Sequence, residues 1–78
     1  MIWTRIDDEI RATPDGGWCL NVYHTRHGCG WSVDRYSRER AYGRADSEEQ
    51  GQERAEKMYK AFVEMAEIAR TCEARVSV

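Results

Sequence analysis

The sequence predicts an α+β fold: an antiparallel meander of three to four strands, in the order β-β-β-(β)-α, covered on one face by one long C-terminal helix. Three observations carry this. Apolar and polar residues alternate with period two in the first part of the chain. Short turn signals, Pro14-Asp15-Gly16-Gly17 above all, punctuate that alternation. From Ser47 onward the spacing changes to threes and fours. The 78 residues make one domain, with residues 1–46 in the sheet and 47–76 in the helix.

Residues 2–12 read as one half-buried strand. Ile2, Thr4, Ile6, Asp8 and Ile10 share one face; Trp3, Arg5, Asp7, Glu9 and Arg11 share the other. The turn Pro14-Asp15-Gly16-Gly17 follows, with proline presetting φ and the glycines allowing positive φ. A second strand runs from Trp18 to Thr25. Its inward face is Trp18, Leu20 and Val22, and its outward face Cys19, Asn21 and Tyr23. His27-Gly28-Cys29-Gly30 is expected to turn. A third strand spans Trp31 to Tyr36, with Trp31 and Val33 inward, and Ser37 to Glu39 turn again. A short fourth strand covers Arg40 to Ala45. Ala41, Gly43 and Ala45 are small on one side; Tyr42 and Arg44 face away.

The helix has the most independent support. Ser47-Glu48-Glu49-Gln50 has the form of a capping box, in which Gln50 reaches back to Ser47. Glu48 and Glu49 place negative charge at the positive end of the helix dipole. Gly51, Ala55, Met58, Phe62, Met65, Ala69, Cys72 and Val76 then form a heptad seam. Gly51 is its weak point, at roughly 1 kcal/mol against alanine. Ile6, Ile10, Trp18, Leu20, Val22, Trp31 and Val33 are expected to pack on Ala55, Met58, Tyr59, Phe62 and Val63. A helix of this length, roughly 42 Å, outruns strands of roughly 20–33 Å. Met65, Ile68, Ala69, Cys72 and Val76 are therefore left as an apolar stripe. Either the helix breaks near Thr71, or that end docks on something else, for which the heptad spacing makes a second copy of the chain the candidate, as a homodimer through the C-terminal helix.

Composition narrows the function classes. The net charge is −2 with both signs interleaved, unlike a general nucleic-acid binder, which is clearly basic. The start of the chain shows no basic, apolar signal segment, and no stretch is long enough to cross a membrane, so the cytoplasm is the expected location. There the odd count of 3 cysteines is expected to stay reduced.

Candidate chemistry is sparse. Cys19, His24, His27 and Cys29 follow C-x4-H-x2-H-x-C, which fits no common zinc module, and Cys19 and His24 point to opposite faces of a strand. Cys29 lies between two glycines near His27, but a cysteine nucleophile also needs an oriented base. Asp7-Asp8-Glu9 reads as an acidic run that protects an edge strand. Arg35, Arg38, Arg40 and Arg44, interleaved with Asp34, Glu39 and Asp46, read as a mixed surface. The chain is therefore expected to be non-enzymatic, with no cofactor and no metal. The open sheet face is expected to carry Trp3, Tyr23, Tyr36 and Tyr42, with Arg5, Asn21 and Arg44 between them. These are the residue types that dominate protein-interface hot spots. They also suit an alternative role, a small regulator that stacks bases of single-stranded nucleic acid on the open sheet face.

The Pro14-Asp15-Gly16-Gly17 hairpin, the Trp31–Tyr36 strand, and Ala41-Tyr42-Gly43-Arg44-Ala45 running into the Ser47 cap also carry a likeness. In size and architecture, over most of its length, the chain resembles small phage-encoded inhibitors of bacterial defence, anti-CRISPR proteins among them. That resemblance implies stoichiometric binding to a host CRISPR effector complex or its nuclease, without turnover, in the host bacterial cytoplasm. The expected function is accordingly a non-enzymatic protein-binding inhibitor or adaptor whose partner is a larger host protein or complex.

Overall fold

A computed structural model describes the backbone of residues 1–76 and the side chains of residues 1–68. Five strands are followed by one helix: β1 (Thr4–Ile6), β2 (Glu9–Ala12), β3 (Trp18–Thr25), β4 (Gly28–Arg35), β5 (Arg38–Ala45) and α1 (Glu48–Val76). The strands form a single antiparallel meander in sequence order, with β3 at its centre. The α+β class, the meander and the C-terminal helix are as the sequence predicts.

The stretch read as one strand over residues 2–12 is a hairpin. Ile6 pairs with Glu9 and Arg5 with Ile10, leaving Asp7-Asp8 as a two-residue turn. Asp7 takes a left-handed φ of 54°, a conformation that aspartate tolerates better than most residues. The acidic run is thus largely a turn. The fold-back also inverts the faces: Ile6 and Ile10 share a side only if the chain runs straight. With Arg5 opposite Ile10, the odd-numbered residues of β1 face the core side. Ile2 and Ile6, expected inward, are exposed instead.

The other turns are displaced by a few residues from expectation. Thr25 pairs with Gly28, so Arg26-His27 make the β3–β4 turn and Cys29-Gly30 belong to β4. Tyr36-Ser37 make the β4–β5 turn, both with left-handed φ (51° and 65°). That conformation costs a bulky residue roughly 1–2 kcal/mol. Tyr36 is held there by contacts with the β2–β3 loop. Its N–H donates to the Gly17 carbonyl at 2.9 Å, and its ring occupies the space a side chain at position 17 would need. Arg40 is the extra residue of a β-bulge on β5, because Val33 pairs with Ala41 but Asp34 with Glu39.

The core lies between the sheet and the first half of α1. Ile10, Ala12, Trp18, Leu20, Val22, Cys29, Trp31, Val33, Ala45 and Ala55 are buried, with Met58, Tyr59 and Phe62 packed against them. Trp18 meets Tyr59 edge-on at 5.5 Å and stacks on Phe62 at 5.8 Å. The Arg35 guanidinium lies 4.9 Å from the Trp18 ring, closing that end of the core. Gly43, opposite Trp31, leaves the space that the Trp31 indole fills.

The Ser47 cap forms on one side only. The Ser47 hydroxyl accepts from the Gln50 N–H at 3.2 Å, but the Gln50 side chain accepts from the Asp46 N–H at 2.7 Å rather than reaching Ser47. The 29 residues of α1 span about 43 Å, whereas an eight-residue strand spans about 27 Å. The molecule is accordingly 53 Å long and only 20 by 19 Å across. Beyond Phe62 the helix leaves the sheet, and Met65 and Ile68 are exposed. Ala69, Cys72 and Val76, assigned to the same stripe from the sequence, have side chains outside the described residues.

Gly51 is more than a weak point in the helix. A Cβ built on it lies 2.8 Å from Val22 Cγ1, and Val22 is fully buried. A β-branched side chain has little rotamer freedom with which to yield. Gly51→Ala gains roughly 1 kcal/mol of helix propensity but incurs roughly 1–3 kcal/mol of overpacking. A net loss of stability is therefore expected in urea unfolding, where an exposed helix glycine would show a gain.

A tyrosine and arginine cleft on the open sheet face

Strand register writes the open face as rows of side chains. One row is Glu9, Tyr23, Gly30 and Arg44; the next is Arg11, Asn21, Ser32 and Tyr42. The first row lacks a side chain at Gly30. The Tyr23 ring lies over that gap, within 2.5 Å of where a Cβ would sit. Tyr23, Tyr42 and Arg44 thereby frame a cleft of about 360 Å³, closed at one end by Arg26 and His27 of the β3–β4 turn. Tyr42 is 73% exposed and Tyr23 37%. Among the described residues no element lies on this side, because α1 packs against the opposite face.

Away from the cleft the same face is polar and internally paired. Arg11 donates to Asn21 Oδ1 at 2.9 Å and to Glu9 Oε1 at 2.8 Å. The Asn21 amide donates to the Ser32 hydroxyl at 3.4 Å. This network neutralises Arg11 and ties β2, β3 and β4 together across the sheet.

Of the residues assigned to the open face from sequence, Tyr23, Tyr42 and Arg44 lie on it. Trp3, Arg5 and Tyr36 do not. The β1–β2 fold-back carries Trp3 and Arg5 to the helix side, where Trp3 Nε1 donates to Glu56 Oε1 at 2.8 Å. Arg5 makes a two-pronged contact with Glu48, at 3.1 and 2.7 Å. Tyr36 is a turn residue with its ring over Gly17. Gly30, Arg26 and His27 were missed as cleft residues. The signal that finds them is the register, which sets a residue without a side chain between Tyr23 and Arg44.

A second constellation was also missed. The register partner of Cys29 is His24, not the His27 near it in sequence. Cys29 Sγ lies 3.8 Å from His24 Nδ1, and His24 Nε2 lies 2.8 Å from Glu48 Oε1. The order thiol, imidazole, carboxylate matches that of cysteine nucleophiles. Here, however, Cys29 is only 4% exposed, so it offers a substrate almost no surface. The carboxylate is shared with the Arg5 guanidinium. The arrangement works as a clamp: one helix residue, Glu48, holds β1 through Arg5 and β3 through His24. Among the described residues, no group of three or more His, Cys, Asp or Glu side chains converges to hold a metal ion. No helix of the described residues is long and apolar enough to cross a membrane.

The hydrogen bond from Arg5, then that with His24, lowers the Glu48 carboxyl to about 2. A carboxyl depressed on folding stabilises the native state above its ordinary value near 4.5. That contribution fades as the pH falls toward the folded value. The melting temperature of the wild type is therefore expected to drop more steeply between pH about 4.5 and about 2 than that of Glu48→Gln. Parallel curves for the two proteins would show that the clamp does not contribute.

Comparison of the chain with protein-family models, with curated proteins and with solved structures finds no match.

Proposed function

We propose that this chain is a non-enzymatic protein-binding inhibitor or adaptor that docks on a larger partner through the Tyr23, Tyr42 and Arg44 cleft. The carrying observation is Tyr42, almost three-quarters exposed on a face that none of the described residues covers. A large aromatic side chain left in water on a rigid sheet, beside a second tyrosine and an arginine, has the composition of an interface hot spot. The sheet fixes the backbone from which these groups project, so no backbone ordering is required on docking. The resemblance to small phage-encoded inhibitors of bacterial defence supplies the partner class: a CRISPR effector complex or its nuclease, bound stoichiometrically in the host cytoplasm.

A homodimer belongs to the same proposal. The exposed Met65 and Ile68 continue in sequence to Ala69, Cys72 and Val76 at heptad spacing, which supports a second copy of α1 as the cover for the helix beyond the sheet. Sedimentation equilibrium at micromolar concentration is expected to give a dimer. Met65→Glu together with Ile68→Glu is expected to give a monomer.

A second reading, a regulator that stacks bases of single-stranded nucleic acid, draws on the same tyrosines and on Arg26 and Arg44. It predicts a mobility shift with oligonucleotide that weakens steeply with salt.

The two residue sets make the docking reading testable. Purified chain mixed with CRISPR effector complex or nuclease is expected to co-elute on size exclusion and to block target cleavage. Tyr42→Ala is expected to weaken that complex by about 2 kcal/mol or more, the threshold of a hot spot. Trp3→Ala, on the helix side, is expected to lower the melting temperature and leave affinity unchanged. The reverse pattern would place the interface on the helix side of the molecule.

A further inference from the structure

The cations of the open face fall into two groups. Arg5 forms an ion pair with Glu48, and Arg11 forms one with Glu9. Arg11 is thus neutralised by Glu9 of the neighbouring row. Arg26 and Arg44 have no counter-ion among the described residues, and both line the cleft. No carboxylate lines it with them. A protein of net charge −2 therefore presents a local site of the opposite sign, walled by two tyrosine rings.

The sign changes within one residue. On the other side of Tyr23, a second depression is lined by Asp7, Asp8 and Glu9 together with Ile6 and His24. The favourable field thus ends at Tyr23. A polyanion needs a continuous cationic track along its backbone, and a strand laid across the sheet from the cleft would run onto Asp7 and Asp8, whereas Glu9 is paired with Arg11. A short anionic group with an apolar neighbour meets no such obstacle.

We propose that the cleft receives an acidic segment of a protein partner, a deepening that rests on the protein-binding reading above. A carboxylate of that segment pairs with the guanidinium groups of Arg26 and Arg44. Arginine presents a planar fork that matches a carboxylate with two hydrogen bonds. An adjacent apolar or aromatic side chain lies against the Tyr42 ring and the Tyr23 ring that covers Gly30. Asp7 and Asp8 beyond Tyr23 repel a longer acidic run, so the site selects a short acidic segment with an aromatic neighbour.

Fluorescence polarisation tests this with three labelled probes: a peptide of alternating glutamate and phenylalanine, its glutamine counterpart, and oligothymidylate. The acidic peptide is expected to bind the wild type in a salt-sensitive way, and the glutamine counterpart to bind at least about tenfold more weakly, as expected for loss of a charge-assisted hydrogen bond. Arg26→Gln with Arg44→Gln is expected to cost the acidic peptide a similar factor. Arg11→Gln, which removes a guanidinium already paired with Glu9, is expected to leave it unchanged. Equal binding of the glutamine peptide, or tighter binding of oligothymidylate, would overturn the proposal. Co-elution with the effector separates this failure from that of the parent reading. If Tyr42→Ala releases the effector while the double arginine variant retains it, the carboxylate assignment falls and the docking face stands. If neither variant changes the complex, both fall.

Discussion

At Gly51 the backbone of the helix rests directly on Val22 of the central strand, with no room for even a methyl group between them. The rest of the architecture depends on that approach. It sets the height of the helix above the sheet, so that Ala55 is buried and Met58, Tyr59 and Phe62 reach Trp18 and the core strands. It also brings the first helical turn down to the level of β1 and β3, where Glu48 takes hold of Arg5 and His24. A helix seated higher would lose both the packing and the clamp.

Glycine serves a related purpose elsewhere in the sheet. Tyr23 covers Gly30, Trp31 covers Gly43 and Tyr36 covers Gly17. In each case an aromatic ring fills the space left by an absent side chain on a neighbouring segment. Such pairs shield a backbone that glycine would otherwise expose, and they pin strand register. Their consequences differ by face. Trp31 over Gly43 completes the buried core, Tyr36 over Gly17 ties two turns together, and Tyr23 over Gly30 floors an open cleft. One packing device thus builds the core of the fold and shapes the surface proposed to bind a partner.

The two sides of the molecule are also divided electrostatically. On the helix side, Glu48 and Glu56 of the helix hold Arg5 and Trp3 of the N-terminal segment, so polar groups there are spent on internal cohesion. On the open side, Arg11 is spent in the same way, whereas Arg26 and Arg44 have no counter-ion among the described residues. A charge left without an internal partner beside exposed tyrosines contributes little to folding stability, and the energy it can supply is available to an incoming ligand.

Much of this was determined by the sequence alone. Alternation in β3 named Trp18, Leu20 and Val22 as core and Tyr23 as outward, because a strand buried on one face has no other stable arrangement. The acidic first turn, Ser47 and the heptad spacing placed the helix start and its excess length. The fate of Trp3 and Arg5 was decided only by tertiary structure. A two-residue turn at Asp7-Asp8 preserves the appearance of alternation while exchanging the faces, and aspartate carries a weaker turn signal than glycine or proline. The pairing of Cys29 with His24, and of Tyr23 with Gly30 in a cleft, needed the register between strands that sequence spacing does not supply. The need for glycine at position 51, which propensity counts as a defect, arises from Val22, a residue 29 positions earlier in the chain, because only the folded molecule brings the two into contact.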